Sequence, residues 1–196
     1  KADSRVRATL EMLQPASTVP LVLRHIPIWQ TGVVTGFIDL ALERAFVYRE
    51  HAGSEVIDMA DEDRVREAEA RFTMLEALAD YDDGLMEQLL EDIQPDRDSV
   101  FRDLVQEMRD GLICPVLIGS AEKGFGVGRL LKAIRHECPG IDETGARLGL
   151  EDGEDAIAQV LKTLHTPHGG KLSLSRILRG TVAEGAELLG PAGEAG

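Results

Sequence analysis

The chain opens with Lys1-Ala2-Asp3, and far downstream an apolar run ends in Gly119-Ser120-Ala121. A carboxylate such as that of Asp3 accepts two hydrogen bonds side by side, which suits a ligand with two adjacent donors. The aliphatic stem of Lys1 can lie along a flat ring. A turn of small residues lets a ligand approach backbone N–H groups closely, and Ser120 and Ala121 meet that steric demand. Taken singly, both signals are commonplace. Lys-x-Asp recurs by chance, and Gly-Ser-Ala is an ordinary turn from strand to helix.

Other candidates carry less. Gly124-x-Gly126-x-Gly128 fails the G-x-G-x-x-G spacing because position 129 is Arg, and no phosphate-loop Lys follows. His165 and His168 sit three apart without a Cys, Asp or Glu cluster to complete a metal site, so a structural or turn role is expected for them. Ser173 and Ser175 lack a His/acid pair for nucleophilic catalysis. No catalytic residue and no metal ligand is assigned. Cys114 and Cys138 are the only thiols and read as reduced cysteines of a cytosolic protein.

The elements that must position these residues follow from periodicity. Residues 5–13 alternate charged and apolar side chains at helical spacing. Val19 to Ile28 reads as one buried strand, and Gly32–Leu40 and Arg44–Arg49 as two short strands joined by a longish loop. From Ala60 the period lengthens: Val65, Ala68, Phe72, Leu75 and Ala79 predict one apolar stripe on a long acidic helix. Leu85 to Ile93 predicts a second helix ending before Pro95. A third, capped by Asp98 and stopped by Gly111, buries Phe101, Leu104, Val105 and Met108. Leu112–Ile118 is strand-like, and Val127, Leu130, Leu131 and Ile134 mark a closing amphipathic helix. Strand, turn and helix, with an earlier apolar strand far upstream, predict an α/β parallel sheet interrupted by an insertion. Residues 141–155 read as a linker; 156–164, 171–177 and 181–189 read as three strands of an incomplete barrel.

With 196 residues the chain suffices for one sizeable core or two small ones. Aromatics make up only 4%, so aliphatic residues must fill most of that core. No apolar run approaches the roughly 20 residues that span a bilayer, and no secretory signal is visible. Both ends look cut rather than natural. The net charge of −14 argues against unassisted binding to phosphate backbones. The segment from Glu55 to Asp110 holds 19 acidic residues and six arginines, so −13 of that charge belongs to one inserted module.

Lys1-Ala2-Asp3 looks like the last three residues of the Asn-Lys-x-Asp motif of GTPases, and Gly119-Ser120-Ala121 like their second guanine-contacting turn. Cys114 to Ala121, with Gly126-Val127 and Leu130-Leu131, resembles the end of the elongation factor G nucleotide domain. Val19-Pro20-Leu21 through Pro27-Ile28, then Thr35 to Leu40, resembles the entry to that family's inserted subdomain. Leu161 to Ser173 resembles the opening of its second domain. The resemblance covers essentially the whole chain. It implies an α/β fold: the C-terminal part of a P-loop-type GTPase domain (residues 1–27 and 113–140), an inserted acidic α+β subdomain (28–112), a linker (141–155) and the start of a β-barrel second domain (156–196). It implies guanine recognition by Lys1, Asp3, Ser120 and Ala121, with GTP or GDP and magnesium held by the parent protein. The phosphate loop, both switches and the water-orienting histidine have no counterpart in the chain, so no GTP hydrolysis and weak or no nucleotide binding are expected of these residues. The implied partners are the ribosome, through a stalk protein docked on the acidic insert, and ribosomal RNA only through the full-length parent. No membrane partner and a cytoplasmic location are implied. The competing readings are a free-standing acidic interaction module, or part of a peptide-release or ribosome-protection relative.

Overall fold

The computed structural model describes residues 2–50, 52–150, 153–187 and 189–190, with side chains from Arg5 onward. The chain divides into two compact units, Lys1–Cys138 and Pro139–Gly196.

The first unit begins with helix α1 (Ala2–Leu13), a 3-10 turn at Gln14–Ala16, and strand β1 (Leu21–Leu23). Strands β2 (His25–Gln30), β3 (Val33–Asp39), β4 (Arg44–Val47) and β5 (Glu55–Ile57) form an antiparallel sheet in sequence order. The run expected to be a single strand over Val19–Ile28 is therefore two strands in two sheets. The break falls at Arg24, whose N–H bonds to the Val116 carbonyl at 3.0 Å while its own carbonyl accepts from Leu40 N–H at 2.9 Å. One residue thus hands the chain from one ladder to the other. A two-residue turn with positive φ at Thr31 and Gly32 joins β2 to β3, the geometry that matches strand twist in tight hairpins. The edge strand β5 was not anticipated from sequence; three residues carry too short a pattern to read.

Three helices cover this sheet: α2 (Asp61–Ala79), α3 (Asp83–Leu90) and α4 (Arg97–Asp110). Ile26, Ile28, Ile38, Leu40, Met74, Leu75, Leu78, Leu85, Val100 and Leu104 make one continuous core between them. The cap of α4 is Asp96, which accepts from Ser99 N–H at 3.1 Å, and not Asp98, whose carboxylate instead pairs with Arg97 at 3.3 Å. Gly111 ends the helix in the left-handed conformation. The inward face of α2 is rotated from the expected stripe. Arg71, Met74, Leu75, Leu78 and Ala79 are buried, while Val65 and Phe72 are 72% and 51% exposed.

Strand β6 (Cys114–Val116) is shorter than the apolar run Leu112–Ile118 that contains it and pairs in parallel with β1, Leu21 opposite Cys114 and Leu23 opposite Val116. Helix α5 (Val127–Glu137) follows. A parallel pair requires a long crossover between its strands. Here that crossover is the whole β2–α4 insertion.

The second unit holds helix α6 (Ile141–Arg147), within the stretch expected to be a linker, and a hairpin of β7 (Ile157–Thr166) and β8 (Gly170–Arg179). The third barrel strand expected over residues 181–189 is absent from 181–187, where a turn forms at Glu184–Gly185. Positive φ at Gly180 and Gly185 breaks the extended backbone on both sides, and Ala, Glu and Gly are poor strand formers. No closed barrel occurs among the described residues.

Candidate nucleotide site

Strand β6 delivers the chain into a loop from Leu117 to Gly126 that is tightly cross-braced. Ser120 N–H donates to the Phe125 carbonyl at 2.8 Å, and Gly124 N–H to the Ala121 carbonyl at 3.2 Å. The two arms touch through glycines. A Cβ on Gly119 would lie 2.7 Å from the Phe125 oxygen, and one on Gly126, at φ +76°, would lie 2.9 Å from the Ile118 oxygen. Only hydrogen fits at either place. The bracing also sorts the two turn residues singled out from sequence. The N–H of Ser120 is consumed inside the loop, whereas among the described residues that of Ala121 has no partner. The turn can offer a ligand the Ala121 N–H, with Ser120 shaping it.

Of the other two predicted residues, Lys1 lies outside the described residues, and so does the side chain of Asp3, whose backbone is in the first turn of α1. The neighbouring part of α1 is described. Arg5 and Thr9 line an open cleft of about 400 Å³ whose other walls include Trp29, Ile118 and Gly119. The start of α1 and the approach to the Ser120 turn, remote in sequence, border one cavity.

Groups that sequence reading missed hold this loop from behind. The Tyr48 hydroxyl donates to the Ile118 carbonyl at 3.1 Å, and its ring stacks on Phe125 at 4.9 Å with an interplanar angle of 3°. Burial pushes the Tyr48 hydroxyl up to about 12, so it stays a protonated donor. In a chain so poor in aromatics, Phe125 inside a glycine-rich turn was the available signal.

Beneath lies a buried ion network. Arg24 and Asp39 are fully enclosed, and Glu137 nearly so. Arg24 pairs with Glu137 and lies 3.5 Å from Asp39; Arg129 donates to Asp39 at 2.8 Å. The Asp39 carboxylate also accepts the N–H groups of Ala41 at 3.2 Å and Leu42 at 3.1 Å. Burial alone would raise the Asp39 carboxyl, but the His25 contact and the charges of Arg24, His25 and Arg129 outweigh it and hold it well below the usual carboxylate range. Burial pulls His25 below its ordinary value, against the opposing pull of Asp39. Its Nδ1 accepts the Ile118 N–H at 3.3 Å, which fixes the neutral ring with its proton on Nε2, 3.4 Å from Asp39. A charge network rooted in β3 and α5 therefore reaches the backbone of the site loop through one neutral imidazole.

Of the remaining candidates, His165 lies in β7 opposite Lys171, and His168 lies in the hairpin turn. Cys114 and Cys138 are free thiols. No described helix is long and apolar enough to cross a membrane.

No family model matches the chain. The fold is a mixed α/β one, shared with the crystal structure of a protein from Thermus thermophilus at TM-score 0.70 and 29% identity, over 96% of this chain and 27% of that one. In sequence the chain is 42% identical over 183 residues to an elongation factor G-like protein of Synechocystis, covering 92% of this chain and 27% of the relative. It is 27% identical over 198 residues to a mitochondrial ribosome-releasing factor 2 of Culex quinquefasciatus, covering 96% of this chain and 26% of the relative. Over the segment it spans, the chain is similar to elongation factor G-like proteins. That segment is about a quarter of the length of these curated relatives.

Proposed function

We propose that the chain supplies the guanine-reading end, and the inserted docking module, of a ribosome-acting translational GTPase of the elongation factor G type. The observation that carries this reading is the shared cleft between the first turns of α1, around Arg5, and the approach to the Ser120 turn at Gly119. In the proposed site the Asp3 carboxylate accepts the ring N–H and exocyclic amine of guanine, a pair of donors adenine lacks. The Ala121 N–H donates to the guanine carbonyl, the Lys1 stem lies along the base, and Ser120 keeps the turn small. The β1–β6 pair and α5 are read as the C-terminal part of a P-loop-type domain and the β7–β8 hairpin as the start of a barrel. GTP or GDP with magnesium is bound by the parent. Phosphate and metal contacts supply most nucleotide affinity and all of the hydrolysis in such enzymes, and nothing in this chain is assigned to them. The 196 residues should show no GTP turnover, and the full-length gene product should show it. Turnover by residues 1–196 alone would overturn the reading. In the full-length protein, Asp3→Asn should cost guanine nucleotides at least tenfold in affinity and favour xanthine nucleotides, whose carbonyl replaces the amine. Unchanged preference would remove Asp3 from the site.

For the insert, the favoured partner is the basic globular end of a ribosomal stalk protein. Support comes from the outward face of the acidic helices, where Val65, Phe72 and Leu90 are exposed among carboxylates. Exposed apolar groups give such a face something to bury, and the surrounding charge steers a basic partner. Phe72→Ser should weaken binding of the stalk domain, and added salt should weaken it further. Insensitivity to both would leave the acidic face as a solubilising surface.

A further inference from the structure

One surface runs against the acidic bias of the molecule. Between the β3–β5 sheet and the beginning of α5 lies a cleft of about 760 Å³. Among the described residues five cations line it, Arg44, Arg49, Lys123, Arg129 and Lys132, and no carboxylate does. In a chain with 35 acidic and 21 basic residues, that segregation demands a physical account. Two of the five are committed elsewhere, Arg49 to Glu55 and Arg129 to Asp39. Arg44 and Lys132 are exposed and have no ion-pair partner among the described residues, and Lys123 stands 6.0 Å from the Phe125 ring centre. The wall behind them is aromatic, formed by half-buried Phe46, Tyr48 and Phe125. The floor includes Gly126 and Gly128 at the N-terminus of the 11-residue helix α5, which has no side-chain cap. Its first N–H groups add positive partial charge to the same cavity.

We propose that this cleft binds single-stranded RNA, with Arg44, Lys123 and Lys132 on successive phosphates and a base against the aromatic wall. Cations alone would suit any polyanion; cations joined to ring faces suit nucleotides, since every base presents a π-face. The three uncommitted cations come from three separate elements, strand β4, the site loop and helix α5. A run of phosphates matches that distribution better than the contiguous phosphates of one free nucleotide. The proposal does not depend on guanine recognition by Asp3 and Ala121.

The test is fluorescence anisotropy of a labelled uridine decamer titrated with the 196-residue chain. Binding should weaken about twentyfold between about 50 and about 200 mM salt, the slope expected for roughly three phosphates on a single strand. The double variant R44E/K132E should weaken it at least tenfold with an unchanged urea midpoint, and K123E, in the exposed loop, should weaken it severalfold. F46L should lose severalfold by removing the stacking face, while K162E, on the hairpin, should bind like the parent chain. No measurable binding of the decamer, or an equal loss in K162E, overturns the proposal. Competition by UTP or by polyglutamate as strong as by unlabelled RNA also overturns it, pointing to a nucleotide pocket in the first case and an acidic-peptide groove in the second.

Discussion

In the insert, Ile38, Leu40, Leu78, Val100 and Leu104 are completely enclosed between one sheet and three helices. On α5, by contrast, Val127, Leu130, Leu131 and Ile134 are between 38% and 60% exposed, and the buried residues there are Ala133 and Glu137. Both regions carry a strong amphipathic pattern, yet only one spends it on contacts within the described residues. An amphipathic face of that kind loses its stabilising value when nothing covers it. The two-stranded β1–β6 pair is intermediate: Val22 is buried in the insert core, yet parallel strands ordinarily sit in larger sheets covered on both faces. The contrast separates a module that organises its own core from a region whose apolar side is, in the proposed parent, covered by the rest of a nucleotide domain. The ties between the insert and α5 include an ion network, beside the Tyr48–Phe125 stack on the preceding loop. Arg24, Asp39, Arg129 and Glu137 cross from the insert sheet to α5.

Cutting that tie is the largest predicted perturbation. Arg24→Ala takes from buried Glu137 its close partner and leaves Asp39 with Arg129 as its remaining guanidinium, and removing one partner of a buried ion pair costs about 3–5 kcal/mol. Because the network joins two differently stabilised regions, the variant should also split urea unfolding, with the fluorescence of Trp29 in β2 and far-ultraviolet dichroism no longer coincident. A single coincident transition at the parent midpoint would show that the network does not couple them.

Leu78→Ala probes the self-sufficient side. Its side chain is fully buried in the insert core, and opening a cavity there should cost about 3 kcal/mol, read from the urea midpoint at constant slope. A loss below about 1 kcal/mol would mean that the insert core relaxes freely and is no better packed than the α5 region.

The same two regions explain how much was legible in the sequence. Periodicity placed α1, α2 and α5, and Gly111 stopped α4, because these signals are local. The facing of α2 was not local. Arg71 turns inward because its guanidinium reaches the Leu40 carbonyl and lies 3.0 Å from Glu43. That rotation brings Met74 and Leu78 into the core and leaves Phe72 outside. The split at Arg24 was equally invisible, since a continuous apolar run gives no sign of a change of ladder. Its one clue was a buried arginine in the middle of the run. The turn at Ser120 and Ala121 was readable from small residues after a strand, but which of their N–H groups is left open depends on Phe125, whose carbonyl takes the Ser120 N–H. Tyr48 and His25 reach the loop from 70 and 93 positions away, and no spacing rule predicts such contacts.

A smaller effect should appear as pH dependence within the insert. Burial, with Asp103 and Asp82 nearby, pushes the Glu107 carboxyl up to about 7, and its Oε2 is enclosed without a hydrogen-bond partner. The native state thus holds a proton that the unfolded chain releases near its ordinary value of 4.5. The associated stability is full below the unfolded value, is lost as pH rises through the native value, and is gone above it. Glu107→Gln keeps the shape without the charge. The stability difference, variant minus parent, should therefore grow by about 1–2 kcal/mol between pH 5 and pH 8. Asp39 and His25 titrate in opposite senses to Glu107, but both are present in parent and variant and cancel in that difference. A difference independent of pH would mean that Glu107 is already hydrated and charged.

The smallest effect bears most directly on the uncovered helix. Leu131 is 60% exposed, so Leu131→Ser removes little buried area and should change the unfolding free energy of the 196-residue chain by less than about 0.5 kcal/mol. If α5 is covered in the full-length protein, the same substitution there places a hydroxyl in an apolar contact and should cost on the order of 2 kcal/mol or more. The two measurements must be made as a pair, because either alone is compatible with an isolated surface leucine. Equal small effects in both contexts would make the apolar side of α5 an ordinary exposed patch, and the distinction between a self-sufficient insert and a dependent α5 region would fail.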